Sequence, residues 1–179
     1  MATDDDWCSY DRAVVDFSPE GAPPFRLVPD RVGATGTWPD GLHPPVVVVT
    51  AWNPDSRPVP EDQNRDRHRR LVSELDRQGL AHFSATGRDP ITSHHEFGVA
   101  VAGLDEAGAI ALGRHHGQAA VYLWTPDAWL IVSCTDDRRH IHLRRPGAVG
   151  PMQFGIFNFQ RFKNHHDRRG DRKCGRGLA

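Results

Sequence analysis

The sequence predicts an α+β fold: a two-layer sandwich on a split βαβ (ferredoxin-like) plan, with extra strands and a basic, poorly structured C-terminal tail. Three observations lead there. Two helical stretches, Glu61 to Gln78 and Asp105 to His116, alternate with short apolar runs in the order strand, helix, strand, strand, helix, strand, strand. Val46 to Trp52 is β-branched without alternation, which suits a central strand buried on both faces. Finally, the net charge of -1 over 179 residues hides a division of the chain. Residues 138–179 hold 11 Lys+Arg against 2 Asp+Glu, and residues 1–137 hold 11 against 21. A -10 core therefore precedes a +9 tail.

Residues 1–9, with Asp4-Asp5-Asp6, are expected to be a disordered acidic N-terminus. Tyr10 to Phe17 and Phe25 to Val28 read as strands separated by Ser18-Pro19-Glu20-Gly21 and Pro23-Pro24. Residues 29–45, rich in Gly and Pro, read as a loop before the Val46 to Trp52 strand. Pro54, Pro58 and Pro60 end that strand. The helix Glu61 to Gln78 follows, with acidic residues in its first turn and Gly79 as its C-terminal cap. Strands at Ala81 to Ala85 and Glu96 to Ala102 flank a loop containing Gly87-Arg88-Asp89-Pro90. In the second helix, Ala107, Gly108, Ala111 and Leu112 suggest a small-residue face against the sheet, and Gly117 caps it. Ala119 to Trp124 and Ala128 to Cys134 form a hairpin around Thr125-Pro126-Asp127 that completes a core domain of residues 10–137. The tail, 138–179, is rich in Arg and Phe.

Several classes are excluded or disfavoured. No run approaches the roughly 18 apolar residues of a membrane span, so no membrane partner is expected. The acidic start is unlike a secretory signal, and Cys8, Cys134 and Cys174 are odd in number with no Cys-x-x-Cys pair, so the cytoplasm is the expected location. Neither a Walker loop, a Gly-x-Gly-x-x-Gly fingerprint nor a Gly-x-Ser-x-Gly elbow is present, which narrows the enzyme classes without excluding an enzyme and leaves any cofactor unknown. The 20 Arg against 2 Lys read as a compositional bias of the source genome.

Two constellations carry chemistry. Thr50, Asn53 and Pro54 leave the central strand where the inward helix face turns polar at Asn64 and His68. Polar groups converging beyond a strand's carboxyl end, beside free helix amides, suit a small polar or anionic ligand. Alternatively, Asn53 and Asn64 hydrogen-bond the Pro-rich connection and fix its path. The second constellation is His94, His95 and Glu96 with His115, His116 and Gln118. Its residue types suit a transition metal, but it lacks a His-x-x-x-His spacing, so no metal ligands are assigned. Glu96, opening an apolar strand, is a candidate general base or a holder of a ligand amine.

The series Thr50-Ala51-Trp52-Asn53-Pro54, Asn64-Arg65, Glu96, Ala107 and Gly117-Gln118-Ala119-Ala120 resembles the small bacterial proteins grouped as domain of unknown function 3293, across about Tyr10 to Cys134. The resemblance carries no activity. It implies that Thr50, Asn53, Asn64, Glu96 and Gln118 are the leading site residues. The chain departs from that pattern at Thr92-Ser93-His94-His95, where an aromatic is usual, and in its long tail.

The resulting expectation is a ligand-binding crevice made by Thr50, Asn53, Asn64 and backbone amides, with Gln118 and Glu96 behind them. One alternative is an enzyme using Glu96 or His68 as general base, possibly assisted by a metal. The other is an interaction module whose tail, with Phe154, Phe157, Phe159 and Phe162 among basic residues, binds nucleic acid or protein.

Overall fold

The computed structural model describes residues 2–27, 42–126 and 128–143. Helix α1 (Asp4–Arg12) leads into β1 (Val14–Ser18) and β2 (Phe25–Leu27). Then come β3 (Val46–Thr50), a 3₁₀ turn (Pro54–Ser56), α2 (Glu61–Gln78), β4 (His82–Arg88) and β5 (His95–Ala102). Helix α3 (Glu106–His115) precedes β6 (Ala120–Trp124), β7 (Ala128–Ser133) and β8 (Arg139–Leu143). All eight strands form one antiparallel sheet in the order β2-β1-β4-β5-β3-β6-β7-β8, an α+β architecture.

The valine run of β3 is buried along Val46–Val49 as its composition predicts, because the sheet is covered on both faces. On one face Val47, Val49, Val99, Val101 and Val121 pack under Leu71 and Leu75 of α2 and Ala109 and Leu112 of α3. On the other, Val46, Val48 and Ala100 join Val15, Phe17, Trp124 and Trp7 of α1. That second core exists because the sheet curls. β1 and β6 have three strands between them, about 19 Å if the sheet were flat at about 4.8 Å per strand. Yet the Phe17 and Trp124 rings stack with centroids 5.7 Å apart.

Helix α2 matches the expected bounds, and Gly79 closes it at φ 67, a left-handed cap that glycine adopts without steric cost. Helix α3 presents only part of the expected face: Leu112 is buried in the core. Ala107 and Ala111 are exposed, and the close approach is made at Gly113, where a Cβ would lie 2.5 Å from Cys134 Sγ.

The termini of the core also differ from expectation. Residues 4–9 are helical, not disordered, and Tyr10–Arg12 belong to α1, so β1 starts at Val14. A capping box explains this: Thr3 Oγ1 accepts from the Asp6 amide at 3.2 Å, and Asp6 Oδ2 accepts from the Thr3 amide at 2.8 Å. The acidic triplet sits where the helix dipole favours it, and Trp7 buries the helix against the sheet. At the other end, β8 pairs with β7 and carries the sheet past residue 137, the expected boundary. β4 runs through Gly87-Arg88, expected as loop, because Gly87 pairs with Val15 and Glu96 at once. The expected loop at 29–45 falls largely outside the described residues, as do Val28, Asp127 and the tail beyond Leu143. Among the described residues no helix is long and apolar enough to cross a membrane.

Candidate functional site

The C-terminal end of β3 runs into a turn whose backbone is unusual. Asn53, Asp55 and Ser56 have φ of 45°, 56° and 58°, the left-handed region that non-glycine residues rarely adopt. Side chains from several elements hold this turn. Thr50 Oγ1 donates to the Phe97 carbonyl of β5 at 2.8 Å and accepts from the Trp52 amide at 3.0 Å. Asn64, 2% exposed on α2, accepts from the Asn53 amide at 2.8 Å. Its Nδ2 donates to Asn53 Oδ1 at 3.0 Å and to the Val59 carbonyl at 3.3 Å. Gln118 Nε2 donates to the Trp52 carbonyl at 2.9 Å.

The result is a precisely aimed amide. Asn53 Oδ1 is occupied by Asn64 and the Val59 amide, so the orientation of its side chain is fixed, and Nδ2 donates to Glu96 Oε1 at 2.7 Å. The same carboxylate oxygen lies 3.3 Å from His94 Nε2. This pairing is the leading cause holding the His94 imidazole pKa above its usual value, against the opposing effect of burial.

These groups rim a cavity of about 470 Å³ between α1 and the curled sheet. Thr50, Asn53, Glu96 and Gln118 all line it, so four of the expected ligand residues converge on one space. Asn64 stands behind Asn53 with its amide fully engaged, which is the path-fixing role weighed for it. His68 does not line the cavity, and burial lowers its pKa. Nor do the exposed α2 residues Glu61, Asp62 and Gln63, so the helix amides expected to bind an anion are not part of this wall.

The far wall was not foreseen. Tyr10 and Arg12 come from α1, Asp89 and Thr92 from the β4–β5 connection, and Tyr122 from β6. Arg12 donates to both Asp89 oxygens, at 3.1 and 2.8 Å. That fork, with the Ile91 and Thr92 amides, holds the Asp89 carboxyl down at about 2 despite its burial. Arg88 is bonded to Asp16 at 2.8 Å, so both guanidinium groups on the wall face carboxylates. Burial raises the Tyr10 and Tyr122 phenols, which stay protonated. Tyr122 donates to the Tyr10 carbonyl at 3.3 Å, and the Tyr10 hydroxyl lies 3.5 Å from Ser56 Oγ. The wall thus offers neutral hydroxyls and internally balanced charges, with Glu96 as its conspicuous acceptor.

The histidine-rich constellation divides in two. His94 and Glu96 face the cavity, whereas His115 and His116 meet Glu74 of α2. Cys134 is a buried thiol pushed up to about 11 by its burial, as a packing residue is.

Residues 49–121 match the model of a family described as Protein of unknown function (DUF3293). Over that segment the chain is similar to the DUF3293 family. The match begins one residue before Thr50 and ends at Val121, so it spans Asn53, Asn64, Glu96 and Gln118 while leaving α1 outside. No curated protein and no solved structure matches the chain.

Proposed function

We propose that the chain binds a small polar ligand in the cavity between α1 and the sheet, with Glu96 as its principal acceptor. The observation that carries this reading is the support around Glu96: Asn53 donates to it, and Asn64 pins Asn53 from behind. A polar carboxylate oriented in this way at a cavity wall is what ligand selection requires. Thr50 shapes the rim, and Gln118 fixes it through the Trp52 carbonyl. Because Arg12 and Arg88 are already paired, the wall favours a ligand bringing hydrogen-bond donors or an amine over an anion.

The test is a thermal-shift screen of polar metabolites on the full chain. A ligand of the native state raises the melting temperature, and Glu96→Gln is expected to abolish that rise while leaving the unliganded protein folded. An equal rise in the Gln variant, or no rise with any compound, overturns the reading.

The contact between His94 and Glu96 favours a second reading, an enzyme in which Glu96 is the general base. His94 is then its imidazole partner, and His68, outside the cavity, takes no part. Turnover that vanishes in Glu96→Gln while binding persists would separate catalysis from binding. The strand order β4-β5-β3-β6, with α2 and α3 as connections, supports the ferredoxin-like plan for the central unit. A cytoplasmic setting and nucleic-acid or protein binding through the basic tail remain further proposals. Their residues beyond Leu143 lie outside the description, and a truncation testing them belongs after β8.

A further inference from the structure

Outside the cavity, three ligating side chains from two helices come together. Glu74 lies in the fourth turn of α2, His115 ends α3, and His116 follows it. Glu74 Oε2 is 3.3 Å from His115 Nε2 and 3.2 Å from His116 Nε2. One donor atom from each residue fits within a span of 4.8 Å.

The two distances from Glu74 match the edges of a metal coordination shell. Ligands bound at about 2.0–2.1 Å in tetrahedral geometry lie about 3.3 Å from one another. An ordinary hydrogen-bonded ion pair explains the cluster less well. His116 is only 8% exposed, and its Nε2 makes no hydrogen bond. It is close to the Glu74 carboxylate but out of line with it. A buried imidazole nitrogen that lies against a carboxylate without a hydrogen bond to it needs an explanation, and an unseen ion is one of the accepted ones.

We propose that Glu74, His115 and His116 bind a divalent transition metal ion, with zinc the best match to two imidazoles and one carboxylate. The site has a closed and an open side. His116 and Glu74 are mostly covered, whereas the His115 side chain is 65% exposed. Remaining coordination positions therefore face solvent, as in sites that keep water or an exogenous group on the metal. The scaffold is also prepared. Arg67 bridges from α2 to the His116 carbonyl at 3.0 Å and to the Ala51 carbonyl at 2.8 Å, holding the end of α3 against α2. Its positive charge near the site works against a cation, and the Glu74 carboxylate offsets it.

The experiment is isothermal titration of zinc chloride into the chelator-treated full chain, repeated with Glu74→Gln, His115→Ala and His116→Gln. One zinc per chain is expected at micromolar affinity or better, and each substitution is expected to weaken it about 10-fold or more. His115→Ala keeps the test valid if His116→Gln disturbs packing, because the His115 side chain is exposed. Circular dichroism reports whether each variant is folded. Zinc binding of wild-type strength in folded His115→Ala and Glu74→Gln would place the ion elsewhere and overturn the proposal. So would absence of saturable binding to the wild type. The result is independent of ligand binding at Glu96, so failure of either site leaves the other standing.

Discussion

Asn64→Ala tests the logic of the cavity rim most directly. The substitution removes three hydrogen bonds: one accepted from the Asn53 amide, and two donated to Asn53 Oδ1 and the Val59 carbonyl. Each bond contributes about 0.5–1.5 kcal/mol net, and the buried partners left behind add desolvation cost. The expected loss is about 2–4 kcal/mol. For a domain of this size that lowers the melting temperature by about 8–16 °C. It also moves a urea midpoint down by about 1–2 M at a slope near 2 kcal/mol/M. Asn64→Asp is the sharper variant. It keeps the acceptor for the Asn53 amide but places an oxygen against Asn53 Oδ1 and the Val59 carbonyl, so it is expected to be no better than the alanine. Matched urea titrations of the three proteins provide the measurement. If Asn64→Ala stays within about 0.5 kcal/mol of wild type, the clamp does not support the turn, and the explanation of the left-handed Asn53 fails.

Four further outcomes follow from the same geometry. Trp7→Ala is expected to cost about 3–5 kcal/mol in chemical denaturation, because α1 packs through a side chain 1% exposed; a dispensable terminus would show no change. Gly98→Ala places a Cβ 2.6 Å from the Val49 carbonyl oxygen, backbone against backbone. A fall in melting temperature is expected, and an unchanged value would mean that β3 and β5 can separate at no cost. Asp89 is lowered from 3.8 to about 2, so its pairing with Arg12 contributes fully above the unfolded value and is lost as pH falls from about 4 through 2. Asp89→Asn should remove about 1–2 kcal/mol at pH 7, after allowance for solvent screening, and flatten that acid limb; a parallel acid limb in the variant would exclude the pairing. The His94 imidazole is raised chiefly by Glu96, so the contribution of the pair is complete below the unfolded value of 6.5 and disappears as pH rises through the higher folded one. In an NMR titration, Glu96→Gln is expected to move His94 back down, and an unmoved titration would break the pair.

Where local signals were strong, the sequence could be read correctly. Pro60 before α2 and Gly79 after it bound that helix because both residues act on backbone dihedrals, independently of tertiary context. Thr50, Asn53, Glu96 and Gln118 were legible because each lies at or next to the end of an apolar strand, and in antiparallel neighbours such ends meet. The opposite wall was not legible. Trp7 packs on His140 at 4.8 Å because the sheet curls, and Arg12 bonds Asp89 across 77 residues because Val14 pairs with Arg88 in the neighbouring strand; no local pattern records either. β8 was missed because Arg139, His140 and Ile141 mix charge with apolar character, as solvent-facing edge strands do. The metal-ligating candidates were grouped wrongly for a related reason. His94 and Glu96 were grouped with His115 and His116, whereas the observed companion of His115 and His116 is Glu74, half-buried on α2, which no sequence pattern pointed to.

The turn after β3 explains why polar residues on one face of the sheet govern a cavity on the other. Three non-glycine residues in left-handed conformations are sustained only where the surroundings over-determine them, at a cost of about 1–3 kcal/mol each. Asn64 and Arg67 of α2 hold the turn at the Asn53 amide and the Ala51 carbonyl, while Gln118 holds the Trp52 carbonyl. The Gly117 carbonyl accepts from the Asp55 amide at 2.7 Å. The turn is therefore tied to α2 and to the end of α3, although its product, the aim of Asn53 at Glu96, faces α1. Arg67 also bonds the His116 carbonyl, so the backbone that fixes the cavity rim is the backbone that presents the two histidines to Glu74. A single turn thus links the two proposed sites, and for that reason its unusual dihedrals are better explained as the means of aiming side chains than as an accident of a Pro-rich connection.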